Sequence, residues 1–310
     1  MKLSVVMPAF NEQENIALVV KELCTVIEGI AGISTFEIIV VDDHSSDDTS
    51  NEVKALQLPH ARCLRLSRRS GSHTAIRAGL AHANGDAVLC ISSDGQDNPI
   101  VLGQMVQQWQ QGAQVVWAIR NAREETFKDK MAATLFYYTL RLFANSGQSD
   151  IDLANADFYL LDKKAVSAIN ACAERNTSLF GLIIWIGFKQ VGVTYDRRER
   201  MNGKSKWSFR SRIRLAQDWI MAFSGVPLKL MTYLGMSAAV IGFLYALFIL
   251  FAAIKGYTTP GWAESVLLML VGGGVLLIML GIIGEYLWRT LDETRKRPLF
   301  FIEKDTHTKA

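Results

Sequence analysis

The chain has few of the features that announce a secreted or cofactor-binding protein. Its four cysteines, Cys24, Cys63, Cys90 and Cys172, are scattered without paired spacing. That argues against a disulfide framework or a zinc cluster and for reduced thiols in apolar surroundings. No Gly-x-Gly-x-x-Gly and no Walker loop occurs, so ordinary dinucleotide and ATP readings lose their best support. Charge of one sign is also scarce: 33 Lys and Arg against 30 Asp and Glu leave a net +3 over 310 residues, too little to argue for nucleic acid. The apolar run near the N-terminus, Leu3 to Met7, is too short for a targeting core, and Pro8, Asn11 and Glu12 follow at once. It reads as a first strand.

What the chain does have is two long uncharged stretches, Leu230 to Ile254 and Ser265 to Gly284. Each is long enough to cross a hydrocarbon core of roughly 30 Å as a helix, which takes about 20 apolar residues. Arg210, Arg212, Arg214 and Lys229 precede the first, Arg289, Arg295, Lys296 and Arg297 follow the second, and the connection carries only Lys255 and Glu264. Positive-inside bias then puts both termini in the cytoplasm, with a multi-pass protein in the inner, cytoplasmic membrane. The alternative, two buried helices of a soluble core, requires a charge-free soluble helix of unusual length. Gly272, Gly273 and Gly274 add surface suited to close helix packing. Basic residues beside the spans favour lipid over polynucleotide as partner.

Before the spans, Leu3–Met7, Glu37–Val41, Ala61–Leu66, Ala87–Ile91 and Val115–Ile119 are strand-like, with helical patterns between them. This is an α/β pattern with a mainly parallel sheet. Asn11 followed by Glu14 has the form of a capping box opening the first helix, and the Ser46–Asp47 region suits the cap of the second. The boundaries are 1–207 for a catalytic domain, 208–227 for a juxtamembrane amphipathic helix, 228–288 for a two-helix hairpin and 289–310 for a cytosolic tail. The helical stripe of Phe209, Ile213, Ala216, Ile220 and Phe223 fits a membrane surface, or a helix packed on the domain. Leu299 to Ile302 suit a strand or plug on a neighbouring subunit, with disorder expected beyond Glu303.

In such sheets ligands bind beyond the carboxyl ends of the strands. Polar loops fall there three times: Pro8–Glu12, Asp42–Asp47 and Ser92–Asp97. Together they define a candidate nucleotide-sugar site. Each also has a plainer reading. The acids after the second strand could simply cap a helix, and Ser92–Asp97 could be a solvated turn before Asn98-Pro99. Carboxylates and amide carbonyls past a buried strand are, however, the oxygens that hard divalent cations prefer. Arg200 to Trp207 combine a guanidinium, a hydroxyl and an ammonium around Gly203, suited to phosphate oxygens. A headgroup-binding basic patch has the same composition.

Pro8-Ala9-Phe10-Asn11-Glu12, Val41-Asp42-Asp43, Leu66-Ser67-Arg68 with Gly71 and Ala78-Gly79, Ser92–Asp97, Asp157-Phe158 and Arg200–Trp207 resemble glycosyltransferase family 2. Within it the chain is similar to the polyisoprenyl-phosphate glycosyltransferases: dolichol-phosphate mannose synthases and bactoprenol glucosyltransferases. The resemblance implies a GT-A (Rossmann-like) fold and inverting transfer from a nucleotide sugar, UDP-glucose or a related UDP-hexose, to a polyprenyl phosphate such as undecaprenyl phosphate. The product would serve cell-envelope glycan modification. It also implies nucleotide-sugar contacts from Pro8, Ala9, Glu12, Asp43 and Ser93, and a divalent metal, Mg2+ or Mn2+, on Asp94 and Gln96. Arg200, Ser205 and Lys206 would bind acceptor or diphosphate, and Asp157, with Asp94, would act in catalysis. A homotetramer is implied as well.

The chain departs from the family pattern at Ser92, where an Asp is usual, at His44, where a Gly is usual, and at Tyr159 and Phe180, where Arg is common. The departures at Ser92, Tyr159 and Phe180 admit a catalytically impaired membrane adaptor as an alternative. A processive polysaccharide synthase is the other, although Gln-x-x-Arg-Trp is missing.

Overall fold

The structure, a computed structural model, describes residues 1–121, 156–172, 174–175, 177–198, 226–256 and 261–306. Arg200, Ser205, Lys206 and positions 208–225 of the expected amphipathic helix lie outside the described residues.

An eight-stranded sheet carries the domain, in the order β7-β5-β6-β4-β1-β2-β3-β8. Its parallel centre consists of β1 (Lys2–Ala9), β2 (Thr35–Asp42), β3 (Ala61–Leu66) and β4 (Ala87–Cys90). β1, β2 and β4 are covered on both faces and read as largely apolar runs, whereas β3 carries Arg62 and Arg65. All five strands expected from sequence form, with ends moved by one or two residues; the fifth is β5 (Val115–Arg120). Three more complete the sheet. β6 (Ala156–Asp162) runs antiparallel between β4 and β5, β7 (Gln190–Tyr195) lies parallel to β5, and β8 (Ile302–Asp305) runs antiparallel on the β3 edge.

Helices cover both faces. α1 (Ile16–Glu28) buries Ile16, Val19, Val20, Leu23, Cys24 and Ile27, one face at helical spacing, and α4 (Leu102–Gln110) packs on the same side. The short α2 (Thr49–Ala55) follows β2. On the opposite face sit α3 (Ser72–His82), α5 (Lys163–Ala171) and α6 (Leu179–Trp185). α3 lies so close to β1 that a Cβ on Gly79 would come within 2.3 Å of Val6 Cγ1.

Asn11 does not cap α1, which starts only at Ile16. Its backbone is left-handed, φ 54°, a region asparagine tolerates, and its side chain turns across to the β2 loop. Asp47 comes closer to expectation, its carboxylate accepting the Thr49 N–H at 3.1 Å where α2 begins.

Two long helices follow, α7 (Val226–Ile254) and α8 (Trp262–Thr294). Pro227 occupies the first turn of α7, where its missing N–H costs nothing. Stretches of 23 and 24 residues, Leu230–Ala252 and Val271–Thr294, are long and apolar enough to cross a membrane. Phe243, Phe248 and Leu277 are among the large side chains left exposed along them. The helices approach at Gly235, where a Cβ would sit 3.2 Å from Met279 Cε. Gly272, Gly273 and Gly274, expected at a close contact, would meet nothing within 4 Å if given a Cβ. α8 also continues past Gly284, and at 33 residues it is about 50 Å long, more than a hydrocarbon core needs. Its last turn reaches the domain instead: Arg175 Nε lies 3.4 Å from Asp292, and the Arg175 N–H donates to Glu293 at 2.8 Å.

The tail is ordered further than expected. Without β8, the β3 edge would present a row of unpaired backbone groups. β8 pairs it through Asp305, and the Thr306 N–H donates to Cys63 O at 3.1 Å.

Candidate active site

The three polar loops meet at the carboxyl edge of the sheet. The Asn11 N–H donates to Ser45 Oγ at 2.9 Å and the Glu12 N–H to Thr49 Oγ1 at 2.9 Å, while Asn11 Oδ1 accepts the Ser46 N–H at 2.8 Å. These bonds stitch the β1 loop to the β2 loop. Ser93 Oγ donates to Pro8 O at 2.9 Å, joining the β4 loop to them. Ala9 ends β1 opposite Asp42, and the buried Glu12 carboxylate accepts from Asn15 Nδ2 at 2.8 Å. All five residues expected around the donor therefore lie along one seam.

The two adjacent acids of that seam have different partners. Asp42 is fully buried; its carboxylate accepts from Arg65 Nη1 at 2.5 Å and from the Ser45 N–H at 2.8 Å. Asp43 reaches the loop before α3, where its oxygens accept the Ser70 and Gly71 N–H groups at 2.6 and 2.8 Å. Burial pushes its carboxyl above the ordinary value, while the two amides and the Arg69 charge pull it back. The Arg69 guanidinium stacks over the Phe10 ring, 4.0 Å from the centroid.

A second polar group lies beyond β4. Ser92 Oγ is 2.8 Å from Asp94 Oδ1 and 2.6 Å from Asp97 Oδ2, and the Ser92 N–H donates to the same Asp97 oxygen at 3.0 Å. Tyr195 OH lies 2.7 Å from Asp157 Oδ2 and 3.3 Å from Asp97 Oδ1. Burial pushes the Asp97 carboxyl up to about 6, with Asp157 and Asp94 adding to the rise and the Ser92 bonds opposing it. Burial also raises the Tyr195 phenol, reinforced by the Asp97 and Asp157 charges. Asp157 in turn faces two guanidinium groups, Arg197 at 3.5 Å and Arg120 at 3.8 Å, and Arg197 Nη2 donates to Gln96 Oε1 at 3.0 Å. Asp157, expected to position or deprotonate an acceptor, thus holds two cations at the rim.

The donor set suits a hard cation in kind, being carboxylate and amide oxygen. Asp94 and Gln96 stand on one turn, where Asp94 Oδ1 accepts the Gln96 N–H at 3.2 Å. With serine at position 92, no group of three His, Cys, Asp or Glu able to hold a metal occurs among the described residues. Arg65, Arg120, Tyr195 and Arg197 are site residues that sequence reasoning missed. Three of them did carry a signal: Arg120 and Tyr195 end apolar strands at the carboxyl edge, and Arg197 follows two residues later.

The segment 4–166 matches the family described as Glycosyl transferase family 2. The chain belongs to glycosyl transferase family 2. An uncharacterised glycosyltransferase of Bacillus subtilis, YkcC, is 35% identical over 97% of this chain and 93% of its own length. A prophage bactoprenol glucosyl transferase homologue of Escherichia coli is 33% identical over 98% of this chain and 99% of its own length. In fold, the glycosyltransferase is similar to glucosyl-3-phosphoglycerate synthase from Mycobacterium tuberculosis, with a TM-score of 0.50 and 22% identity over 72% of this chain and 80% of that one. That likeness bears out the GT-A architecture. In this glycosyltransferase the departures at Tyr159 and Phe180 are mutual: both pack on Trp117, with ring centroids 5.2 to 5.5 Å apart. They fill core volume together.

Proposed function

We propose that this glycosyltransferase moves a hexose from a UDP-sugar, UDP-glucose or a relative, to the phosphate of a polyprenol such as undecaprenyl phosphate, inverting the anomeric carbon. One observation carries the reading: both chain passages to the apolar helices leave from the edge that bears the acidic loops. The outgoing chain departs after Tyr195 at the carboxyl end of β7, and the returning chain enters β8 beside Leu66 at the carboxyl end of β3. A site on that edge faces the lipid that the helices would span. Relatives named bactoprenol glucosyl transferases, 33% identical over 98% of this chain, support the acceptor class.

In this reading the seam of Pro8, Ala9, Glu12, Asp43 and Ser93 receives the nucleoside diphosphate. Arg200, Ser205 and Lys206 meet the acceptor phosphate. That phosphate is already anionic near neutral pH and attacks the anomeric carbon in line, forming a C–O bond as the bond to the departing diphosphate breaks. A strong general base is not needed. Asp157 therefore acts by fixing Arg120 and Arg197 towards the reacting phosphates, and catalysis rests on orientation and on stabilised leaving-group charge. A divalent cation, Mg2+ or Mn2+, held by Asp94 and by Gln96 once Arg197 moves aside, would neutralise part of that charge. The catalytic domain and both termini would be cytosolic, and a homotetramer would be read from its mass in lipid nanodiscs.

The test is transfer of labelled UDP-sugars to undecaprenyl phosphate by purified protein with Mg2+ or Mn2+. A mass-defined polyprenyl-phosphate hexose is expected. Donor binding without product across several sugars and metals would overturn the reading in favour of an adaptor, and long glycan product would favour a processive synthase. Undiminished turnover in Asp94→Ala would remove the cation role.

A further inference from the structure

We infer that β8, the strand after the second long helix, is a working part of the donor site, and that Glu303 and Arg65 are positioning residues for the Asp42–Asp47 loop. The inference rests on the proposal that this loop holds the donor nucleotide. The Arg65 guanidinium spans the whole junction. Nη1 reaches Asp42, Nη2 donates to Ser45 O at 3.0 Å, and Nε donates to Glu303 Oε2 at 3.1 Å. One planar group therefore joins the base of the loop, its turn and the tail, a fit that lysine, a point charge on a flexible stem, cannot reproduce.

His44 provides an independent line to the same carboxylate. It sits in the loop with φ 59°, a left-handed conformation that favours glycine. Its Nδ1 is 3.2 Å from Leu66 O and 3.8 Å from Glu303 Oε2. Where the family usually has a flexible glycine, this chain has a side chain whose ring rests on the β3–β8 junction. The Ser67 N–H donates to Phe301 O at 2.9 Å, fastening that junction at the level of the loop.

The consequence is a link between anchoring and donor binding. The chain that returns from α8 is fastened first at Arg175 by Asp292 and Glu293, and then places Glu303 against Arg65 and His44. The donor loop is thereby held at a fixed place relative to the helices. Loss of the Glu303 charge should free the loop without unfolding the sheet, because the β8 backbone pairing remains.

The experiment uses the full-length protein in detergent and compares wild type with Glu303→Gln and Arg65→Lys. UDP binding is measured by calorimetry, and transfer kinetics with each substrate varied in turn. Because the Arg65–Glu303 pair is partly exposed, Glu303→Gln should weaken UDP about fivefold, and Arg65→Lys more. Donor KM should rise in parallel, while kcat at saturating donor and acceptor KM stay near wild type. The melting temperature stays near wild type in Glu303→Gln and falls in Arg65→Lys, which also loosens the brace on the buried Asp42. Amide exchange should quicken at Asp43–Asp47 and not in β1. UDP affinities within twofold of wild type in both variants would overturn the inference and leave the donor-loop reading intact. If wild type binds neither UDP nor GDP, that reading fails and the inference with it.

Discussion

Asp97 makes an unusual prediction, that removing a charge from the candidate active site stabilises the protein as pH rises. Proton counting leads to it. Tyr195 has one hydroxyl proton, and its 2.7 Å contact with Asp157 claims it. The oxygen facing Asp97 Oδ1 at 3.3 Å is then an acceptor, so the contact is favourable only if Asp97 carries a proton there. Ser92 supplies donors to the other Asp97 oxygen. Burial accordingly raises this carboxyl from an ordinary 3.8 to about 6. A raised acid binds its proton more tightly in the folded state, so its contribution is intact below the unfolded value and is lost as pH climbs through about 6. The full loss is about 3 kcal/mol. Asparagine at position 97 mimics the protonated form, with its amide donating to Tyr195 and its carbonyl accepting from Ser92. Asp97→Asn should exceed wild type at pH 8 by about 3 kcal/mol and at pH 5 by about half of that, a widening of about 1.4 kcal/mol, which at about 2 to 4 °C per kcal/mol is seen in melting temperature. The assay is thermal unfolding in detergent with chelator present, so that no cation competes for the carboxylate. The same difference between the two proteins at both pH values would refute the argument.

Other consequences are simpler to state. Ser92→Asp restores the acid usual in the family and adds a carboxylate beside Asp94 and Asp97; without cation it should cost about 1 to 2 kcal/mol by like-charge repulsion, and millimolar Mn2+ should recover the melting temperature. At position 44 the left-handed backbone penalises alanine, so His44→Ala should be about 1 kcal/mol less stable than His44→Gly in urea unfolding. Gly79→Ala drives a methyl into Val6 and Val41 and should cost about 1 to 3 kcal/mol, measured the same way.

The sequence displayed the centre of the sheet more clearly than its margins, and the difference is physical. β1, β2, β4 and β5 are largely buried and rich in Val, Ile and Leu, so their apolar signal is local and strong, and only β3, with Arg62 and Arg65, is weaker. β8 is Ile-Glu-Lys-Asp, a strand by no intrinsic preference, and it exists because β3 has an open edge for it to pair. β6 inserts antiparallel between β4 and β5 and so carries Asp157 back to the carboxyl edge, a reversal no local pattern encodes. The candidate site divides along the same line. Acids at or just past the ends of apolar strands were visible as Asp42, Asp43 and Asp94, whereas Arg65, the partner of Asp42, and Arg120, Tyr195 and Arg197, the partners of Asp157, find those partners only through strand order. Asn11 was misread for a related reason: a cap and a cross-loop brace use the same side chain, and only the neighbouring loop decides between them. Glu303 is the extreme case, lying 238 residues from Arg65 with two long apolar helices between. Its charge has meaning only once the chain has returned to the edge of the sheet from which it left.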